Sequence, residues 1–421
     1  MTSSRPPIAD LLSTVLGADL PLRITAYDGS AAGPADAEIS MEIHSPKAMS
    51  YLITAPGELG LARAFVAGEL DVQGDIYTTL RHLSQVKMGG LTWPERVRML
   101  RQIEPGVLRW VQPPAEEAPV AVRRALHGLR HNKRRDAEAI SHHYDVSNTF
   151  YSYVLGPTMA YTCAVFPKDG AKLDEAQYEK FDLVARKLDL RPEMRLLDVG
   201  CGWGGMAIHA AKHYGVKVIG VTLSRQQAEW AQKAIAEEGL TDRVEVRHSD
   251  YRDVFEGEFD AVSSIGLTEH IGMRSLLSYF EFLLSKLRPQ GRLLNHCITR
   301  PTTTERAKAG GFIDRYVFPD GEITGVGHLV TTMQNIGFEV RHEENLREHY
   351  ARTLAAWYAN LDTFWDDAVA EVGLGRARVW ALYLAGSRLG FEQNRIQLHQ
   401  VLAVNTVDGE SGMPLRPTWG S

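Results

Sequence analysis

The chain has 421 residues, 44% of them hydrophobic and 23% charged, with a formal net charge of −6 at pH 7. That length predicts about two to three domains, and the composition excludes a disordered or fibrous chain. The acidic balance excludes wrapping nucleic acid with the whole surface, and Cys163, Cys201 and Cys297 are too few and too odd in number for a disulfide framework.

The N-terminus carries no apolar run of signal-sequence length, and no later stretch approaches the roughly 20 residues of a membrane span. With the cysteine usage, this places the chain in a reducing cytoplasm. Residues 1–115 mix short alternating segments such as ISMEIHSP with a helical stretch around GLARAFVAGEL, predicting a small α+β domain. VQPPAEEAP reads as the start of a linker over 116–141. In that linker RRALHGLRHNKRR holds Arg123, Arg124, Arg130, Lys133, Arg134 and Arg135. It reads as a solvated helix or as a contact for anionic lipid headgroups.

From 142 to 421 the pattern changes. RLLDVG, VKVIGVT, VEVRHSD, FDAVSSIG and GRLLNHCI alternate with helices through MAIHAAKHY, RQQAEWAQKAIAEE and LLSYFEFLLSKL. Alternation at this spacing predicts parallel strands joined by crossover helices, a doubly wound α/β sheet. Next, TRPTTTERAKAGGFIDRYVFPDGEITG is too long for an ordinary loop and reads as functional. Two aromatic-rich helices follow, and then the strand-like HQVLAVN. Their stripe of Tyr350, Leu354, Trp357, Leu361 and Trp365 is either core packing or the wall of an acyl-chain tunnel.

The cofactor question turns on LLDVGCGWGG, whose Gly200, Gly202 and Gly205 spell the dinucleotide motif GxGxxG. A dinucleotide fold wants an acidic residue at the end of the second strand, but that strand ends in Thr222, Leu223 and Ser224. NAD is therefore disfavoured. S-adenosylmethionine suits the same topology, with Asp198 inside the motif and Asp250 of HSDYRD placed to accept from an adenine amino group.

Together DVGCGWGG, VTLSRQQ, DYRD, TEHIG, HHYDVSNTFY, YTCAVF and FIDRYVFP resemble the cyclopropane fatty acyl phospholipid synthases and mycolic acid cyclopropane synthases, in consistent order from His142 to Gln400. The resemblance implies a class I S-adenosylmethionine-dependent methyltransferase domain with an acyl-chain lid around 300–390. It makes residues 1–115 an N-terminal lipid-handling domain. It also implies a bicarbonate base held by Cys163, Glu269, His296, Ile298 and Tyr350, and no metal. The cofactor pocket maps onto Tyr161, Thr162, Gly200, Gly202, Thr222, Leu223, Ser224 and Gln227, to which Asp198 and Asp250 are added from the residues themselves.

Taken singly, Cys163 and Tyr350 would read as packing residues, Glu269 as a helix cap and His296 as a satisfied core histidine; Ile298 would offer only backbone. Two positions depart from the pattern, Ser387 in place of a cysteine and Glu322 in FPDGEITG. The late segments resemble the actinobacterial branch that makes 10-methylene fatty acyl lipids, which implies a separate partner reductase. The implied substrate is an oleoyl chain of a membrane phospholipid, reached by peripheral contact at the inner membrane face. A homo-oligomer stays open. The alternatives are a cyclopropane-forming enzyme, then a small-molecule or nucleic-acid methyltransferase, then a non-enzymatic lipid carrier. Phe312, Ile313, Tyr316, Phe318, Trp357 and Trp365 in the lid argue for an apolar substrate.

Overall fold

The computed structural model describes residues 6–16, 21–85, 109–117, 147–303, 311–318 and 322–419. The basic stretch from Arg123 to Arg135, and the HHYD that begins the HHYDVSNTFY motif, lie outside the described residues. The chain divides into two compact units. One comprises Met1–Pro119, Gly310–Val317 and Trp365–Leu389, and the other Val120–Ala309, Phe318–Phe364 and Gly390–Ser421. The stretch expected as an acyl-chain lid is thus shared between the units, with Phe312, Ile313, Tyr316 and Trp365 in the first and Phe318 and Trp357 in the second.

The first unit holds a four-stranded sheet in the order β2-β1-β3-β4, made of β1 (Leu22–Ala26), β2 (Ala31–Ala32), β3 (Ile39–Ile43) and β4 (Leu70–Gln73). Strand alternation sends Ile24, Met41 and Ile43 into one core with Leu12, Tyr51 and Phe65 from the flanking helices. Segment 311–318 contains a π-helical turn, Ile313–Val317, and belongs to this unit up to Val317. Its Tyr316 hydroxyl donates to the buried Glu117 carboxylate at 3.2 Å, which also takes two hydrogen bonds of 2.6 Å from Arg63.

The second unit is built on a seven-stranded sheet, β5 (Arg195–Val199), β6 (Lys217–Thr222), β7 (Val244–His248), β8 (Phe259–Ile265), β9 (Leu287–Thr299), β10 (Glu339–Asn345) and β11 (Gln397–Val404), in the order β10-β11-β9-β8-β5-β6-β7. Strands β7, β6, β5, β8 and β9 are parallel. β11 runs antiparallel between β9 and β10. This is a doubly wound α/β sheet with one antiparallel strand inserted near its edge, the plan expected of a class I S-adenosylmethionine-dependent methyltransferase domain.

Successive residues of each central strand face opposite layers, so both faces are apolar. Leu196 packs with Val184, Ala207 and Ala231, whereas Leu197 packs with Phe280, Leu283 and Met333. The sheet departs from the expected uniform parallel alternation at its far side. β10, reading EVRHEEN, is an edge strand with a largely polar sequence and no apolar alternation to announce it.

Candidate active site

The turn after β5 places three glycines at positive φ, Gly200 (75°), Gly202 (56°) and Gly204 (83°). The amides of Gly200 and Cys201 both donate to the Val221 carbonyl, at 2.9 and 3.0 Å, fastening the turn to β6. A Cβ on Gly200 would stand 3.1 Å from the Leu267 side chain, whereas one on Gly202 would meet nothing within 4 Å. Gly202 therefore leaves open space beside a turn that side chains rarely adopt. At the carboxyl ends of these strands lies a cleft lined by Gly200, Thr222, Leu223, Gln227, Tyr251 and Leu267, among others. Ligands of open α/β sheets bind at this edge.

Thr222, Ser224 and Gln227 form one buried unit. The Thr222 hydroxyl donates to Gln227 Oε1 at 2.7 Å, and Ser224 Oγ accepts the Gln227 amide at 3.3 Å as the cap of the helix Arg225–Glu237. Asp198 lies inside the sheet, where Oδ1 accepts from Ser263 Oγ at 2.6 Å and Oδ2 has no partner among the described residues. Burial pushes its carboxyl up to about 6. Asp250 is paired with Arg252, its two oxygens accepting from Nε at 2.7 Å and from the guanidinium terminus at 2.6 Å. Of the expected cofactor residues, Gly200, Thr222, Leu223 and Gln227 line the cleft. Tyr161, Thr162, Asp198, Gly202, Ser224 and Asp250 are not among its lining residues, and Ser224 supports it as a helix cap.

The five residues expected around the base fall into two groups, Glu269, His296 and Ile298 at the adjoining ends of β8 and β9, and Cys163 with Tyr350 about the Leu346 carbonyl. Glu269 sits in the one-turn helix Thr268–Ile271 just after β8, and His296 and Ile298 lie on the neighbouring β9. Ile265 stands opposite His296 in the parallel register, and the Ile298 amide donates to Glu269 Oε1 at 2.7 Å. Ile298 thus contributes backbone, as its type requires. Glu269 Oε2 and His296 Nε2 are buried with no partner among the described residues. Burial pushes Glu269 up to about 7 against the pull of the Ile298 amide. Burial, with Lys180 and Lys187 nearby, drives His296 well below the ordinary imidazole range, leaving it neutral at pH 7.

Cys163 is fully buried, and burial raises its thiol well above the ordinary range. It is a thiol and not a nucleophilic thiolate. Its Sγ lies 3.8 Å from the Leu346 carbonyl, which also accepts the Tyr350 amide at 3.1 Å, so one carbonyl joins the two segments. Glu322, the departure noted in FPDGEITG, accepts the Met273 amide at 2.9 Å while its own amide donates to the Glu269 carbonyl at 3.3 Å. It holds the helix that carries Glu269.

Several residues escaped the sequence reading. Lys180 is 1% exposed, its ammonium donating to Thr162 Oγ1 at 2.8 Å, and burial lowers it to about 7. Lys187, equally buried, donates to Gln400 Oε1 at 2.8 Å and to Glu344. Both lysines fall on the apolar face of the helix Leu173–Leu188, with Ala176, Val184 and Leu188. Charge on a core face was the available signal. An aromatic series also runs through the unit, with ring centroids 4.8 Å apart for Tyr151–Trp203, 5.7 Å for Tyr151–Tyr161, 5.3 Å for Tyr161–Trp357 and 6.1 Å for Tyr350–Trp357. Trp203 is held by its indole N–H, which donates to Asn148 at 2.8 Å.

Comparison with known proteins decides which family this arrangement represents. The profile described as mycolic acid cyclopropane synthetase matches residues 131–401. The chain belongs to the mycolic acid cyclopropane synthetase family. It is accordingly an S-adenosylmethionine-dependent methyltransferase. A family relative in Mycobacterium tuberculosis named "Probable fatty acid methyltransferase" is 54% identical over 100% of both chains. The tuberculostearic acid methyltransferase of the same organism is 30% identical over 95% of this chain and 91% of its own. Among solved family structures, a cyclopropane synthase from Mycobacterium tuberculosis superposes with a TM-score of 0.61 at 31% identity, covering 65% of this chain and 99% of its own.

Proposed function

We propose that this enzyme methylates the cis double bond of an unsaturated fatty acyl chain, oleoyl, in a membrane phospholipid and releases a 10-methylene product. The observation that carries the proposal is the pair of buried polar atoms without a partner among the described residues, Glu269 Oε2 in the helical turn after β8 and His296 Nε2 on the adjoining β9, in the unit that also holds the aromatic series. A small-molecule or nucleic-acid methyltransferase would call for polar or basic residues in the lid in place of Phe312, Ile313, Tyr316, Phe318, Trp357 and Trp365.

S-adenosylmethionine would be held by Gly200, Thr222, Leu223 and Gln227 beside the open space of Gly202, and would supply an electrophilic methyl group. Methylation of one alkene carbon leaves the other as a carbocation. The aromatic series of Tyr151, Tyr161, Trp203 and Trp357 would exclude water and offer π faces to positive charge. A hydride shift to that carbon, then loss of a proton from the new methyl, gives the exocyclic methylene; direct loss of that proton closes a cyclopropane. Bicarbonate would supply the base, held by Glu269 Oε2 and His296 Nε2, the two buried polar atoms without a partner among the described residues, with Cys163, Ile298 and Tyr350 as the further residues the resemblance implies. At neutral pH Glu269 is partly protonated, so its free oxygen can donate to an anion; a permanently ionised carboxylate would repel one.

The methylene branch is favoured by the match to tuberculostearic acid methyltransferase over nearly the whole chain. The cyclopropane reading rests on the family profile and on a cyclopropane-fatty-acyl-phospholipid synthase of Escherichia coli, 35% identical over 62% of this chain and 66% of its own. The reading places the enzyme in the cytoplasm, peripheral at the inner face of the membrane, upstream of a separate reductase. Mass spectrometry of lipids from an oleate-fed host expressing this chain without a reductase tests it. The expected result is one added CH₂ per oleoyl chain, located as an exocyclic methylene at C10. A product bearing only a ring selects the cyclopropane reading, and no mass gain despite cofactor binding refutes acyl methylation.

A further inference from the structure

The His296 side chain makes one hydrogen bond among the described residues, at Nδ1, with Gln400 Nε2 at 3.2 Å. An imidazole nitrogen can donate or accept there, and an amide can be turned end for end, so the direction follows from the next partner along. Gln400 Oε1 receives a hydrogen bond of 2.8 Å from Lys187, whose ammonium is also paired with Glu344. An ammonium has no acceptor to offer, so the oxygen end of the amide must face Lys187 and the NH₂ end must face His296. Nδ1 is then the acceptor, and the single proton of the neutral ring sits on Nε2, the atom without a partner. Gln400, His296 and Lys187 are all fully buried, so water cannot exchange these roles. His296 and Gln400 are directly opposed in the antiparallel register of β9 and β11, which fixes the pair through the sheet itself.

We propose that Gln400, clamped by Lys187, is a positioning residue that locks His296 as its Nε2–H tautomer. His296 then serves the reaction as a hydrogen-bond donor toward an anion and does not itself take the substrate proton. This rests on the reading of the Glu269–His296 site as an anion site. It adds two residues, Lys187 and Gln400, and a direction to every hydrogen bond in the line.

The test reads the tautomer directly, without lipid or cofactor. In the full chain labelled with ¹⁵N-histidine, long-range proton–nitrogen correlation assigns the protonated nitrogen, and the His296 signals are those lost in His296→Gln. The wild type is expected to show Nε2–H from pH 6 to 8. In Gln400→Glu the new carboxylate accepts from the ring, so the proton is expected on Nδ1, with a fall in kcat of about 100-fold at unchanged cofactor Kd. Lys187→Met serves if Gln400→Glu does not fold; it frees the amide to turn and is expected to give a mixture of tautomers. A wild-type ring protonated on Nδ1 or on both nitrogens at pH 7 overturns the proposal, as does a pure Nε2–H ring in either variant. Failure of the acyl-methylation assay would leave the tautomer result intact, so the two readings fall separately.

Discussion

Glu269 shows how one buried carboxyl joins stability to chemistry. Its folded value, about 7, lies above the ordinary 4.5, because burial penalises the charged form more than the Ile298 amide favours it. The folded protein thus holds a proton that the unfolded chain releases between these values. This contribution to stability is fully present below pH 4.5 and is lost as pH rises through about 7. The difference is worth on the order of 3 kcal/mol. Urea denaturation should show wild-type stability falling from pH 5 to pH 8 relative to Glu269→Gln, which carries no titrating group there; parallel curves would mean an unshifted carboxyl. The same variant is expected to bind cofactor normally and to lose turnover by about 100-fold or more, since the altered group lies outside the glycine turn. Unchanged turnover would remove Glu269 from the mechanism. Individually, Cys163, Glu269, His296 and Tyr350 were unremarkable in the sequence, and they were legible only as a set falling in recognisable motifs. Lys180, Lys187 and Gln400 were not legible, because partners 213 residues apart, such as Lys187 and Gln400, meet only in the folded sheet.

At the scale of elements, the strand–turn–helix from Arg195 to Tyr214 carries most of the cofactor argument. Gly202→Ala places a methyl in open space at φ 56°, so the expected folding cost is only that of the left-handed backbone, about 1–2 kcal/mol. If that space belongs to the cofactor, calorimetry should show S-adenosylhomocysteine binding weakened by tenfold or more. Unaltered affinity in the folded variant would place the cofactor elsewhere. The central strands and crossover helices were legible from their short apolar runs and 3.6-residue periodicity. β10 was not, since an edge strand buries little of either face and needs no apolar pattern. Its place is set by pairing with β11, and that pairing lies beyond any local signal.

The whole molecule carries a net charge of −6, so attraction to an anionic membrane cannot come from the surface as a whole. It would have to come from the local run of Arg123, Arg124, Arg130, Lys133, Arg134 and Arg135, each basic residue worth about 1 kcal/mol near such a surface. Replacing these six by glutamine is expected to abolish sedimentation with vesicles containing phosphatidylglycerol, and added salt should weaken wild-type binding in the same direction. Binding that survives both treatments would assign membrane contact to apolar groups instead. Among the described residues no helix is long and apolar enough to cross a membrane.

The sequence by itself determined the alternating α/β plan and the glycine turn, disfavoured a dinucleotide and, through resemblance to a known family, implied the five-residue set. Each of these is written in local spacing or in a short motif. The tertiary structure alone decided that β11 enters the sheet between β9 and β10 and that segments 310–317 and 365–389 group with the first unit. It alone decided, too, that Nδ1 is the nitrogen of His296 bonded to Gln400. Those outcomes depend on which buried donors and acceptors are brought face to face. Such pairing is a property of the packed sheet, and no single stretch of chain encodes it.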